Sequence, residues 1–175
     1  MKKPLVSVII PVFNEERYLD RCFQSLEQQT YAPLEYVVID DGSTDKSVDI
    51  ALKYNARILR QNHSGPDTAR NNGTEHAQGE IFVFVDGDMI IDKDYIKILT
   101  RQIIKGKEVG TFHLYEKTAN FKNVWSACWS INSDLKPGER SWKYSPKRLT
   151  IFRAVKASYF RRVGGYNPEV GYVGG

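Results

Sequence analysis

Apolar residues follow two rhythms along the chain. Apolar, β-branched runs at 6–12 and 35–40 have the length of strands buried on both faces, and further strands are expected at 56–60 and 81–85. Between the first two, Leu19, Cys22, Phe23 and Leu26 recur at i, i+3, i+4 and i+7, which predicts a one-sided helix within 15–29. A second helix is expected over 43–54 with Ser43 or Thr44 as its cap, and a third over 66–77 opened by Pro66. Ile96, Leu99 and Ile103 mark the inner face of a fourth helix within 92–107, with Gly106 near its stop, and 109–115 reads as a strand. Strand–helix alternation of this kind predicts an α/β fold: a mostly parallel central sheet with helices on both faces. The pattern fades over 117–147, where Trp125, Trp129 and Trp142 are scattered among polar residues and 133–147 has the Pro, Gly and Ser content of a loop. It resumes over 148–170 as a short strand and a short helix ending at Gly164–Gly165.

Composition narrows the class. A chain of 175 residues with 41% hydrophobic and 26% charged residues is long enough for one globular domain with a real core. No run of about 18 apolar residues is present to span a membrane. The opening MKKPLVSVII superficially suggests a signal peptide, but Pro11 interrupts its apolar run and no small-residue cleavage site follows, so it reads as a buried strand. Cys22 and Cys128 lack a zinc-like spacing, and Cys22 lies on an apolar helix face; a reduced core thiol and a cytoplasmic setting are expected. The net charge of +4 is too diffuse for a nucleic-acid footprint, though it suits anionic small molecules or an anionic membrane surface.

The candidate chemistry gathers at strand ends. In an open parallel sheet, ligands sit at the carboxyl ends of the strands. Three of those ends read PVFNEE, DDGSTD and DGD. For Gly42, Ser43 and Thr44 a turn and helix cap suffices. Asp40 and Asp41 leave a buried strand side by side, and each charge must be solvated or paired; Asp41 in particular is suited to accept a hydrogen bond from a base ring N–H or a ribose hydroxyl. Phe13 alone reads as core, with base stacking as the functional alternative. Arg70 alone reads as a solvated helix residue, with phosphate pairing as the alternative. Asp-Gly after a strand is by default a turn. In an extended backbone, however, Asp86 and Asp88 would project to one side with Gly87 permitting close approach, and two such charges call for a cation. Hard oxygen ligands point to Mn²⁺ or Mg²⁺.

Four stretches in order, VSVIIPVFNEE, IDDGSTD, SGPDTARNNGTEHAQGEIFVFVDGD and FRRVGGYNPE, resemble the family 2 glycosyltransferases, inverting enzymes of the GT-A fold. The likeness covers Val6 to Asn167 and is specific because four motifs share order and spacing. It implies one catalytic domain, with a nucleotide-binding part over about 4–90 and an acceptor-side part over about 91–175. Carried over residue by residue, Pro11, Phe13 and Glu15 would line the base and ribose pocket, Asp41 would meet the base with Asp40 beside it, and Arg70 would approach the nucleotide. Asp86 and Asp88 would form the DxD-type motif, Asp86 serving nucleotide and metal and Asp88 being the stronger direct metal ligand. Gly164, Gly165 and Tyr166 would belong to the acceptor side.

One departure stands out. The family places an acidic pair holding its general base after the GGY segment, whereas here the sequence reads GYVGG (171–175) and Glu169 lies too close to Gly164–Tyr166. The resemblance thus implies a base beyond Gly175 and a truncated domain. It also implies a nucleotide-diphospho-sugar donor, a saccharide, lipid-linked or protein acceptor, no nucleic-acid partner, and association with the cytoplasmic face of a membrane through segments outside this sequence. The basic stretch 136–148 reads as a surface loop, or as a contact for a lipid-phosphate acceptor. A non-catalytic nucleotide-sugar-binding module is the main alternative. A sugar nucleotidyltransferase is disfavoured because PVFNEE stands where those enzymes carry a Gly-rich basic loop. Walker and dinucleotide-binding glycine patterns are absent.

Overall fold

The computed structural model describes residues 3–112, 116–117, 139–140 and 152–167. The chain forms two compact units, one of residues 1–111 with 152–175 and one of residues 112–151. In the second unit, the described residues are Phe112 and two short antiparallel strands, Glu116–Lys117 and Glu139–Arg140, numbered β6 and β7. Trp125, Trp129, Trp142, Cys128, the rest of the 133–148 stretch and Glu169 lie outside the described residues.

The first unit holds β1 (Val6–Val12), β2 (Leu34–Asp40), β3 (Arg57–Arg60), β4 (Ile81–Phe84), β5 (Gly110–Thr111) and β8 (Ala154–Lys156) in one sheet of order β3-β2-β1-β4-β8-β5. The first four are mutually parallel, and β8 runs antiparallel to β4 and β5. Side chains alternate across the sheet, and each face has its own core. Val6, Val8, Ile10 and Val12 of β1 pack with α1 (Leu19–Glu27), α2 (Ser47–Leu52) and α4 (Tyr95–Ile104). Ile9, Val37, Ile39, Phe82 and Phe84 pack on the other face with α3 (Pro66–His76) and α5 (Ala157–Val163). The predicted inner faces, Leu19–Cys22–Phe23–Leu26 and Ile96–Leu99–Ile103, are buried as the spacing required. No helix among the described residues is long and apolar enough to cross a membrane.

Pro11 sits in the central strand without a penalty. Val85 donates to the Ile9 carbonyl, and backbone groups alternate sides along β1, so the N–H that Pro11 lacks would face the side where β4 has already ended.

Several boundaries differ from the sequence reading. Neither Ser43 nor Thr44 caps α2. The helix starts at Ser47 with Lys46 at the cap position, because the Asp45 carboxylate takes both the N–H and the hydroxyl of Ser47 (2.9 and 2.6 Å). The strand expected over 109–115 is described only at Gly110–Thr111, with 113–115 outside the described residues. Asp86 and Asp88 are not on an extended backbone. Met89 donates its N–H to the Asp86 carbonyl (3.0 Å), which closes a tight turn over Gly87 and Asp88.

Helix α3 lies close on the sheet because Gly73 faces it. A Cβ there would stand 2.5 Å from Ile39 Cδ1 and 2.7 Å from Ile9 Cγ2. Alanine gains about 1 kcal/mol of helix propensity, but the branched methyl on β1 has little room to move, and overpacking costs about 1–3 kcal/mol. Gly73→Ala is therefore expected to destabilise the fold by up to about 2 kcal/mol net in urea unfolding; a stabilised variant would show that α3 can lift off the sheet.

Candidate functional site

The carboxyl ends of β1 and β2 are stitched together by their own turns. Asn14, at φ 56°, donates its N–H to the Ser43 hydroxyl (3.0 Å) and accepts the Thr44 N–H on its side-chain oxygen (2.8 Å). Glu15 donates its N–H to the Ser47 hydroxyl (2.8 Å), and Glu16 donates to the Asp45 carboxylate (3.0 Å). Most of NEE and DDGSTD is thus spent on holding one rim in shape. Asp40 belongs to the same work: it accepts the Ser43 N–H at 2.9 Å and faces Arg60 Nε at 3.4 Å.

Asp41 organises the next loop. Its side chain is nearly fully buried, with Oδ1 accepting from Gln61 Nε2 (2.8 Å) and Ser64 N–H (2.9 Å). Oδ2 accepts the Gly65 N–H (2.9 Å) and faces His63 Nδ1 at 2.9 Å. Four contacts on two oxygens fill the carboxylate. His63 in turn stacks on Phe13, with ring centroids 4.0 Å apart. Phe13 is not the core residue its type suggests; it is 43% exposed at the rim. Pro11 lies beneath it in β1, half-buried.

Arg70 is not solvated either. It is 4% exposed, and its guanidinium binds Asp67 and Asp86, both at 2.7 Å, below the ring of Tyr166. Its Nε is buried without a hydrogen-bond partner among the described residues. The other oxygen of Asp86 accepts from Arg153 Nη1 at 2.8 Å. Burial would raise the Asp86 pKa, but Arg153 and Arg70 together hold the carboxyl below its usual range. Asp86 is therefore a counter-charge shared by two arginines. Asp88, two residues on, is exposed in the turn.

Glu15 shows the opposite shift. Burial, reinforced by Asp88, Asp45 and Asp86, pushes it from 4.5 up to about 6. Cys22 beneath the rim is a free, buried thiol pushed up to about 12 by burial and then by Asp88, Asp86 and Glu15, consistent with the reduced core thiol read from the sequence.

Gly164, Gly165 and Tyr166 are clamped to α3. Gly164 ends α5 in the left-handed conformation (φ 84°), and Gly165 follows at φ 83°. Asn71 accepts the Tyr166 N–H and donates to its carbonyl, both at 2.8 Å. A Cβ on Gly165 would stand 2.5 Å from the Asn71 side chain. This segment borders the Arg70–Asp86 pair through the Tyr166 ring, so the structure brings Arg70, Asp86 and Tyr166 together, with Glu15 and Asp88 linked to them electrostatically. Phe13, Asp41 and His63 form a second group, with Asp40 in the turn beside it.

Sequence reasoning missed Arg153, Asp67 and His63. Arg153 carries no motif signal, because its partner is 67 residues away. Asp67 lies three residues before Arg70 in the first turn of α3, and that spacing could have revealed the pair. His63 stands between the matched motifs and shows its role only through the stack on Phe13.

The profile of glycosyl transferase family 2 matches residues 7–163. The chain belongs to that family. Among similar curated proteins, the glycosyltransferase GlyG of Streptococcus pneumoniae is 32% identical over 177 residues, covering 91% of this chain and 59% of that protein. The putative glycosyltransferase EpsH of Bacillus subtilis is 37% identical over 106 residues, covering 58% of this chain and 31% of that one. Among solved structures, Staphylococcus aureus TarS 1–349 in complex with UDP superposes with a TM-score of 0.66 at 21% identity, covering 96% of this chain and 52% of that one. The mannosyltransferase PcManGT of Pyrobaculum calidifontis, in complex with GDP-Man and Mn²⁺, superposes at 0.61 with 22% identity, covering 97% and 49%. These likenesses establish the GT-A fold for the family 2 domain. The chain spans 59% or less of each of these four proteins.

Two titrations of opposite sign follow. Glu15 has a raised pKa, so its ionised form is disfavoured in the folded state, and stability is lost as pH rises from about 4.5 through about 6. Glu15→Gln should raise the melting temperature at pH 7.5, with the gain vanishing at pH 4 and below; a gain that persists there would assign it to packing. Asp86 has a lowered pKa, so its contribution is present above the ordinary carboxylate value and is lost as pH falls through the lowered one. Arg153→Gln should cost about 2 kcal/mol at pH 7, a loss that shrinks in acid. A loss equal at pH 7 and pH 2.5 would show that Arg153 acts by packing alone.

Proposed function

We propose that this domain binds a nucleotide-diphospho-sugar and serves a metal-assisted, inverting transfer of its sugar to an acceptor hydroxyl. The observation that carries the reading is the gathering of carboxylates at the rim, where burial and then Asp88, Asp45 and Asp86 raise Glu15 to about 6. A rim of that polarity is suited to a divalent cation and, through it, a pyrophosphate.

The donor set fits Mn²⁺ or Mg²⁺ in a specific way. No group of three or more His, Cys, Asp or Glu side chains gathers for a metal among the described residues. Magnesium-like ions, however, commonly take one or two carboxylates and complete their shell with substrate phosphates and water. The family pattern makes Asp88 the preferred ligand, with Glu15 next to it, while Asp86 is bound by Arg70 and Arg153. When bound, the cation would neutralise charge on the departing diphosphate. The protein's own part is to fix the DGD turn through Asp86 and its two arginines, and to offer Phe13 and the Asp41 loop to the nucleoside. The acceptor hydroxyl would lose its proton to an acid that the family pattern places after Gly164–Tyr166. TarS and PcManGT, in complexes with UDP and with GDP-Man and Mn²⁺, support this class of donor.

Calorimetry with UDP- and GDP-sugars tests the reading. Tight binding of one donor should require Mn²⁺, and Asp88→Asn should weaken it at least about tenfold, since losing even an outer-shell partner of a metal costs about 10–100-fold. Binding that is unchanged in Asp88→Asn would remove the metal from this site.

A further inference from the structure

We propose that His63 is a placeholder for the donor's nucleobase, occupying the base subsite of the ligand-free protein and leaving it when the nucleotide arrives. The inference rests on the nucleotide-binding reading above and adds a gate to it.

The imidazole makes both contacts that a base at this rim would make. Its face lies on Phe13, with centroids 4.0 Å apart and planes 27° apart, the geometry of an offset stack. Its edge presents Nδ1 to Asp41 Oδ2 at 2.9 Å, with the Asp41 carbonyl at 3.2 Å. A planar ring with a ring N–H, stacked on an aromatic face and donating to a buried carboxylate, describes the histidine. It equally describes a base carrying a ring N–H next to a carbonyl.

The rest of the Asp41 shell is permanent by comparison. Gln61 Nε2 and the Ser64 and Gly65 N–H groups hold the other acceptor positions, two of them from the backbone of the loop itself. His63 is the exception: its side chain is 59% exposed, so it can swing into water at little cost in buried area. Its departure would free one acceptor position on Oδ2 and the covered face of Phe13 together, with the loop still held by the other three contacts. The backbone is tied down next to it by the Ser64 and Gly65 N–H bonds to Asp41, and it passes close to Gly42 (φ 87°), where a Cβ would lie 3.3 Å from the His63 backbone nitrogen. The side chain therefore moves on a fixed base.

A corollary sets the base class. The vacated position accepts a hydrogen bond, so it suits uracil, thymine or guanine, whose ring N–H is a donor. It rejects cytosine and adenine, whose equivalent ring nitrogen is an acceptor that would face the carboxylate.

Nucleotide titrations of the chain with UDP, GDP, CDP and ADP test this, by calorimetry with Mn²⁺ and by NMR of the histidine ring protons with diamagnetic Mg²⁺. In the ligand-free protein, Phe13→Ala should shift the His63 ring signals, because the stack is lost. Saturation with UDP or GDP should shift them in the same direction. His63→Ala should bind the preferred nucleotide about tenfold more tightly, since affinity is scaled by the fraction of molecules with an open site, while CDP and ADP stay weak. Weaker binding in His63→Ala would make the histidine a wall of the occupied pocket, and His63 signals unmoved by a bound nucleotide would leave it stacked; either overturns the placeholder while leaving nucleotide binding intact. Failure of both proteins to bind any of the four nucleotides would instead overturn the donor-binding reading itself.

Discussion

The rim depends on one shared charge. Asp86 stands at the point where β4 gives way to the DGD turn, and its two oxygens are taken by Arg70 from α3 and Arg153 from the start of β8. Those elements come from opposite sides of the β4 end, and β8 is the strand that turns a parallel sheet antiparallel. A carboxylate this enclosed, between two guanidiniums, fixes the turn in position and direction at once. Arg70 carries the constraint onward, through Asp67 to the start of α3 and through the Tyr166 ring to the end of α5. Breaking the triad would loosen the place where the parallel half of the sheet meets β8.

The second constraint is economy among the motif residues. Conspicuous acids in NEE and DDGSTD do different work at similar positions. Asp40, Asp45 and Asp41 spend their oxygens on neighbouring backbone groups and so shape the turns. Glu15, raised by burial and then by its acidic neighbours, is the acid whose charge stays most responsive to its surroundings. A motif can thus be dense in carboxylates because a polar rim without regular structure needs acceptors for its N–H groups.

This explains what could be read in advance. The βα order, the buried faces of α1 and α4, and the Pro66 start of α3 were legible because periodicity and Pro placement are local signals. The alternation of β1 across two cores followed from the same arithmetic. Local patterns failed where the deciding partner was remote or where a turn replaced an assumed strand. Ser43 and Thr44 looked like caps, but Asn14 had claimed Thr44 from 30 residues away. Asp86 and Asp88 looked like a paired ligand set on an extended chain, but the backbone turns between them and Arg153 reaches Asp86 across 67 residues. Phe13 and Arg70 show the converse: residue type alone put the ring inside and the cation outside, and the rim inverted both.

The opposite shifts at Glu15 and Asp86 bear on how such a rim divides its labour. When two acids in one site are driven apart in pKa, the environment has assigned them different roles. Asp86, held ionised by arginines, is a constant anion: its charge is the same whether or not a ligand is present, which suits an anchor. Glu15, held near 6 mainly by burial and then by other carboxylates, changes charge with whatever neutralises those neighbours. A cation arriving at Asp88 would lower the Glu15 pKa and release its proton, so the rim would gain negative charge as positive charge enters. Cation and proton then compete for one site, and donor binding through the cation should strengthen as pH rises through about 6. The same logic explains why the anchor must be arginine-bound: an acid free to respond in that way could not also hold the turn still.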